Sequence, residues 1–295
     1  MTRRLSRLPV CFLLFAFLFV SEAFSLPPQE KFIRLNDKDS ADKALQVAIT
    51  DYSWKNGRTV SLVSAVHVAD QEYFDELNKL LATYDVVLYE LVAPKGVKPI
   101  QGMKRGGFMN SLQEWFADLL GASLQLDQVD YSSDHFVHAD VSFEELVAEG
   151  ARRGETALSL IIGVLSDMLA VQEEIKDLPF QPKTPADMLA LWFNPSKLRS
   201  FVAHSLAYMS EDSEMNGMKS LEPYVIDLRN AKAVEVLKEQ GAATSSKTFA
   251  IFYGAAHMKD LEERLVGGLG MTRKSTSWIS AWDLSPKRQV VAQTN

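Results

Sequence analysis

The sequence predicts an α/β protein, a mixed β-sheet with parallel central strands flanked by helices, plus a helical cap inserted in its middle. Three observations predict it. Residues 59–92 read strand–helix–strand, the pattern that lays two neighbouring strands parallel through a right-handed crossover. A second strand-to-helix unit follows at 247–267, after a long helix-rich stretch. That stretch, about 95–222, breaks the α/β rhythm and carries four amphipathic or apolar helical segments.

The elements follow in order. "MTRRLSRLPVCFLLFAFLFVSEA" has three arginines, an apolar run from Leu8 to Val20, and small residues around Ser21-Glu22-Ala23. It reads as a secretory signal peptide spanning residues 1–23, cut before Phe24. The apolar run is about 13 residues, short of the roughly 20 that span a bilayer, so no stable membrane span is expected after cleavage. The single cysteine, Cys11, lies inside this segment, leaving residues 24–295 without thiol or disulfide chemistry. The expected location is secreted or periplasmic. Cleavage removes three arginines and Glu22 and takes the net charge from −7 to −9. That balance argues against a nucleic-acid surface.

Two β-rich runs, about 43–54 and 59–66, flank Lys55-Asn56-Gly57-Arg58. Asn-Gly tolerates positive φ at both positions and predicts a hairpin. Asp70 stands where a cap belongs, ahead of a helix carrying Phe74, Leu77, Leu80, Leu81 and Tyr84 at helical spacing. "DVVLYELV", 85–92, has the continuous apolar look of a buried strand. In the helical insertion, Ser142 and Glu145 form a capping box. The very apolar 156–171 segment contains Ser159, Ser166 and Asp167 and reads as an internal or groove-lining helix. A helix at about 229–240, a strand at 247–253, a helix at about 259–267 and a late edge strand, "STSWISAWDL", complete a single domain over 24–295.

Three chemistry-bearing residues fall at strand ends: His67 after 59–66, Glu90 near the end of 85–92, and His257 after 247–253. Ligands of open α/β sheets bind beyond the carboxyl ends of parallel strands. Two imidazoles and a carboxylate are donors for a divalent metal ion, its identity open. Such an ion can lower the pKa of bound water. Gly254, Ala255 and Ala256, like Ser64 and Ala65, allow a sharp turn and close approach to a ligand. Glu90 is either a metal ligand or a general base.

Ser64-Ala65-Val66-His67, Tyr89-Glu90-Leu91, Leu228-Arg229-Asn230 and Gly254-Ala255-Ala256-His257 resemble the TraB/TIKI family, which includes the GumN-like proteins. Its pattern is two Gly-x-x-His motifs, a glutamate after the first and an arginine before the second. The resemblance runs from about residue 44 to the C-terminus. It implies a fold related to erythromycin esterase and ChaN-like proteins and a metal-dependent hydrolase of peptidase type; the substrate, a peptide or a small molecule, stays open. It carries over to His67, Glu90, Arg229 and His257. Ser64 departs from the first glycine, and Leu228 stands where many members have glutamate. Arg229 would orient Glu90 or bind a substrate carboxylate. The competing expectations are a non-catalytic haem- or metal-binding protein of ChaN-like type, and an inactive relative.

Other candidates carry less. His135 and His138 form His-x-x-His in a stretch that reads as extended. Gln128, Asp130 and Tyr131 could support the site from behind. His204 lies on an amphipathic helix, and "EDSEMNG", 211–217, is a solvated loop. There is no phosphate-binding loop, no Gly-x-Ser-x-Gly and no His-Glu-x-x-His.

Overall fold

The computed structural model describes residues 32–37, 43–100, 117–175, 181–211 and 219–285. The signal segment 1–23 and residues 212–217 of the acidic loop lie outside the described residues.

The sheet begins with strands β1 (Ile33–Asn36), β2 (Ala44–Trp54) and β3 (Arg58–Ala65). Between β2 and β3, Asn56 and Gly57 take φ of 60° and 68°, the left-handed pair for which Asn-Gly is suited. After the short β4 (Val68–Ala69) comes helix α1 (Gln71–Leu81), then β5 (Val86–Tyr89). Next are β6 (Ser123–Leu124), the one-turn helix α2 (Gln125–Gln128) and β7 (Phe136–His138). Four helices follow: α3 (Phe143–Arg153), α4 (Ala157–Ile175), α5 (Pro185–Trp192) and α6 (Pro195–Glu211). The chain returns through α7 (Leu228–Ala243), β8 (Thr248–Gly254), α8 (Met258–Glu263) and β9 (Thr272–Asp283).

Strands β3, β8, β5 and β7 lie side by side and parallel, while β2, β1 and β9 extend the sheet antiparallel. The α/β class is as the sequence predicts. The neighbour relation differs: β3 and β5 are parallel, but β8 is inserted between them, pairing Val60 with Phe249 on one side and Phe249 with Val86 on the other. A crossover fixes handedness and direction, not adjacency, so a strand from a distant part of the chain can enter the gap.

Alternation along the strands makes two cores. Ala250 and Phe252 face one side with Val63, Val87, Phe74 and Leu77, so α1 covers that face. Phe249, Ile251 and Tyr253 face the other with Leu62, Leu88, Leu237, Met258 and Leu261, under α7 and α8. Phe74 and Leu77 are fully enclosed, each worth roughly 1.5–3 kcal/mol of burial. Asp70 occupies the N-cap position of α1 but makes no side-chain cap bond. Its carboxylate instead accepts from Arg199 at 2.7 Å and from the Asp283 amide, tying α6 to the end of β9. The predicted capping box of α3 is formed: Glu145 N–H donates to Ser142 Oγ, and Ser142 N–H donates to Glu145 Oε2. Of the two expectations for the 156–171 helix, internal or groove-lining, the first is corrected. Leu158, Ile161, Ile162 and Leu165 on α4 are exposed, and it is Gly163 that meets Ser220.

Candidate functional site

The carboxyl ends of the four parallel strands form one rim. Ala65 lies opposite Gly254, and Tyr89 lies opposite both Phe252 and His138. Each strand therefore delivers a polar residue just past its last pair: His67 from β3, Glu90 from β5, Asp140 from β7 and His257 from β8.

Three of these meet at Gly254. A Cβ placed there would lie 3.4 Å from Glu90 Oε2, 3.6 Å from His67 Nε2 and 3.7 Å from His257 Cδ2. Gly254 has φ −53° and ψ 144°, which any residue adopts. Glycine here leaves open the space where these three groups meet; it does not serve the turn that the sequence suggested.

Glu90 is almost enclosed. Its Oε1 accepts from Arg229 Nη2 at 2.7 Å, and its Oε2 accepts from the Gly254 backbone N–H at 2.7 Å. His257 Nε2 stands 3.5 Å from Oε1. Burial would raise this carboxyl, but Arg229, with His257 and His67 beside it, outweighs burial and holds it well below its ordinary value.

Arg229, one residue into α7, points inward. It gives Nε and Nη2 to Asp140 at 3.0 and 2.6 Å and shares Nη2 with Glu90. Burial works against its charge, yet the two carboxylates raise its pKa further. Of the two roles open to Arg229, the geometry supports orienting Glu90. Two of its three nitrogens, Nε and Nη2, are already taken by Asp140 and Glu90.

Each histidine is backed by a side-chain amide. His257 Nδ1 meets Asn230 Oδ1 at 2.7 Å, and His67 Nδ1 meets Gln125 Oε1 at 3.0 Å. Gln125 Nε2 donates to the Tyr131 hydroxyl, so Tyr131 does stand behind the site. The β4–β6 pair holds α2 in place, and Gln125 N–H donates to the His67 carbonyl.

The Gln128 backbone carbonyl accepts from Asn78 Nδ2, and Asp130 Oδ1 accepts from Ser132 N–H. His138 bonds the Leu91 carbonyl through Nε2, while His135 Nδ1 meets Ser133 Oγ, so the His-x-x-His pair serves two separate partners. His204 Nδ1 bonds the Ser200 carbonyl of its own helix. The sequence reading missed Asp140 and Gln125. Asp140 had a signal: "FVHAD" places a carboxylate just past a strand, as "VVLYE" does for Glu90.

By donor type, His67, His257 and Glu90 fit a divalent ion, and the glycine leaves a space at their meeting point. Among the described residues, however, no three His, Cys, Asp or Glu side chains close into a ready-made metal-holding group. Glu90 is already engaged by Arg229 and Gly254. No helix among the described residues is long and apolar enough to cross a membrane. No protein-family model, curated protein or solved structure matches the chain.

Proposed function

We propose that this rim is a hydrolytic centre and that the chain is an exported metal-dependent hydrolase, with a peptide bond as the substrate class that the TraB/TIKI resemblance implies. The observation that carries the reading is the meeting of His67, Glu90 and His257 at the space beside Gly254.

His67, His257 and Glu90 would hold a divalent ion, which when bound supplies a Lewis acid and lowers the pKa of a water. The chain's own residues set the stage for it. Arg229 and the Gly254 amide fix the Glu90 carboxylate and keep it ionised. A carboxylate held so far below its ordinary value is a weak base. Of the two roles open to Glu90, the proposal therefore takes the anionic donor over the general base. Asp140 holds the far side of Arg229, so the cation cannot swing toward solvent.

Glu90→Gln keeps shape and removes charge. Hydrolysis of a quenched-fluorescence peptide library by purified mature protein, and its bound metal by elemental analysis, should both fall, activity by about 100-fold or more. Chelator should abolish activity of the parent. Full activity in Glu90→Gln, or indifference to chelator, would overturn the reading. A Soret band on haem addition with no hydrolysis would move the binding-protein alternative ahead.

A further inference from the structure

We infer that Asn230 and Asp260 are positioning residues that lock the His257 imidazole with its proton on Nδ1, delivering the Nε2 lone pair toward Glu90. The inference borrows its purpose from the hydrolytic reading, but not its argument.

An asparagine amide has one end that accepts and one that donates. The Asn230 Nδ2 end lies 3.1 Å from the His257 carbonyl oxygen and 2.7 Å from Asp260 Oδ2. A carbonyl oxygen and a carboxylate can only accept, so both must receive N–H from this end. The reversed amide would set an oxygen against two oxygens with no water to relieve it, because Asn230 is fully buried. Its Oδ1 must then face His257 Nδ1, at 2.7 Å. An amide oxygen accepts, so Nδ1 carries the hydrogen. Asp260 is itself fixed by Arg264 Nε at 2.5 Å. The order Arg264, Asp260, Asn230, His257 is thus one polarised chain from the protein's flank to the rim. Tyr253 meets the ring edge-on, with centroids 5.2 Å apart, which limits its rotation.

The lock opposes the local preference. With Glu90 Oε1 3.5 Å from Nε2, an unconstrained neutral ring would put its proton on Nε2 and donate to the carboxylate. Asn230 forbids this. In the neutral ring two lone-pair atoms face each other across the rim, a pair that favours a cation or a donating water between them. His67 differs. Gln125 sits between His67 and the Tyr131 hydroxyl, and a hydroxyl can donate or accept, so no such deduction follows there.

The test needs no substrate. Long-range proton–nitrogen correlation spectra of the ¹⁵N-labelled, metal-free mature protein report each ring's tautomer. They are recorded well above the ordinary imidazole value of about 6.5. The His257 signals are assigned by their loss in His257→Gln. The expected pattern is a protonated Nδ1 and an unprotonated Nε2. Asn230→Leu should convert it to the Nε2-protonated form. Asp260→Asn, which frees Asn230 from one obligate acceptor, should give a mixture if Asn230→Leu does not fold. An Nε2-protonated, mixed or doubly protonated ring in the parent overturns the inference whatever the activity. The Nδ1 form in a protein whose Glu90→Gln variant is fully active leaves the inference standing and removes the hydrolytic reading.

Discussion

At the rim, the Asp140 side chain is wholly enclosed and those of Glu90 and Arg229 are about nine-tenths buried. Along α3, α4 and α5, by contrast, Phe143, Leu158, Ile161 and Leu189 each keep more than half of their surface in solvent. One region buries charge and the other exposes hydrocarbon, and different forces hold them. The rim is held by tertiary convergence: four strands bring groups from residues 67, 90, 140 and 257 together, and each buried charge has a counter-charge. The helices carry local bonds. Thr184 and Asp187 form a capping box on α5, Ser142 and Glu145 form one on α3, and Glu149 pairs with Arg152 and Arg153 one turn on. Burying charge constrains geometry tightly, because any unpaired group is costly, whereas a capped helix tolerates change on its open face.

The sharpest way to break this comparison is to remove the cation. Arg229→Ala strands two carboxylates, Glu90 and Asp140, in a buried site and should cost about 3–5 kcal/mol in urea unfolding. Its pH dependence is also fixed. In the parent the folded Glu90 value is depressed, so the unfolded chain binds the proton more readily at acid pH. Glu90 therefore contributes stability that is fully present above its unfolded value near 4.5 and is lost as pH falls toward the folded value. In Arg229→Ala burial dominates, the carboxyl rises, and stability should instead improve as pH falls from neutrality toward that unfolded value. A parent and variant with parallel stability–pH curves would show that the rim charges are not coupled.

A smaller effect on the fold separates the site's chemistry from its packing. Gly254→Ala adds a methyl at ordinary contact distance from three side chains, on backbone that alanine adopts without strain. Its stability should stay within about 1 kcal/mol of the parent. Metal content and hydrolysis should nonetheless collapse, since the methyl occupies the space where His67, Glu90 and His257 meet. A stable variant with unchanged metal content and activity would place the chemistry elsewhere.

The same contrast explains what could be read in advance. The Asn56-Gly57 hairpin, the Ser142 capping box and the 247–253 strand depend on neighbours a few residues apart, and they were legible. His67, Glu90 and His257 were legible as strand-end residues, although their meeting depends on β8 entering between β3 and β5. Local pattern does not encode that pairing. Asp140 escaped notice because one carboxylate in "HADVSFEEL" looks like any helix-start acid until Arg229 arrives from 89 residues away. Asp70 misled for the reverse reason: it has the position of a cap, and Arg199, 129 residues on, claims its carboxylate. The internal reading of the apolar 156–171 helix failed because composition reports hydrophobicity, while burial depends on what lies opposite.

The smallest predicted effect tests that last point. Leu158, Ile161 and Leu165 follow one face of α4, at spacings of three and four residues, and all three are exposed. Glutamine has a helix propensity close to that of leucine and suits water, so Leu158→Gln, Ile161→Gln and Leu165→Gln should each change stability by no more than about 0.5 kcal/mol. The control is Leu77→Ala on α1, a fully enclosed residue whose loss should cost about 2–5 kcal/mol. The measurement is the urea midpoint of the three single variants and the triple variant, with the slope checked for constancy. Near-additive, small changes would confirm that this face stands in water and that α4 is held from its other side, where Gly163 meets Ser220 and Asp167 accepts from the Ser220 amide. A triple variant that loses several kcal/mol would mean that the face is buried in solution. The contrast between an enclosed, charge-paired rim and an open apolar helix would then no longer hold.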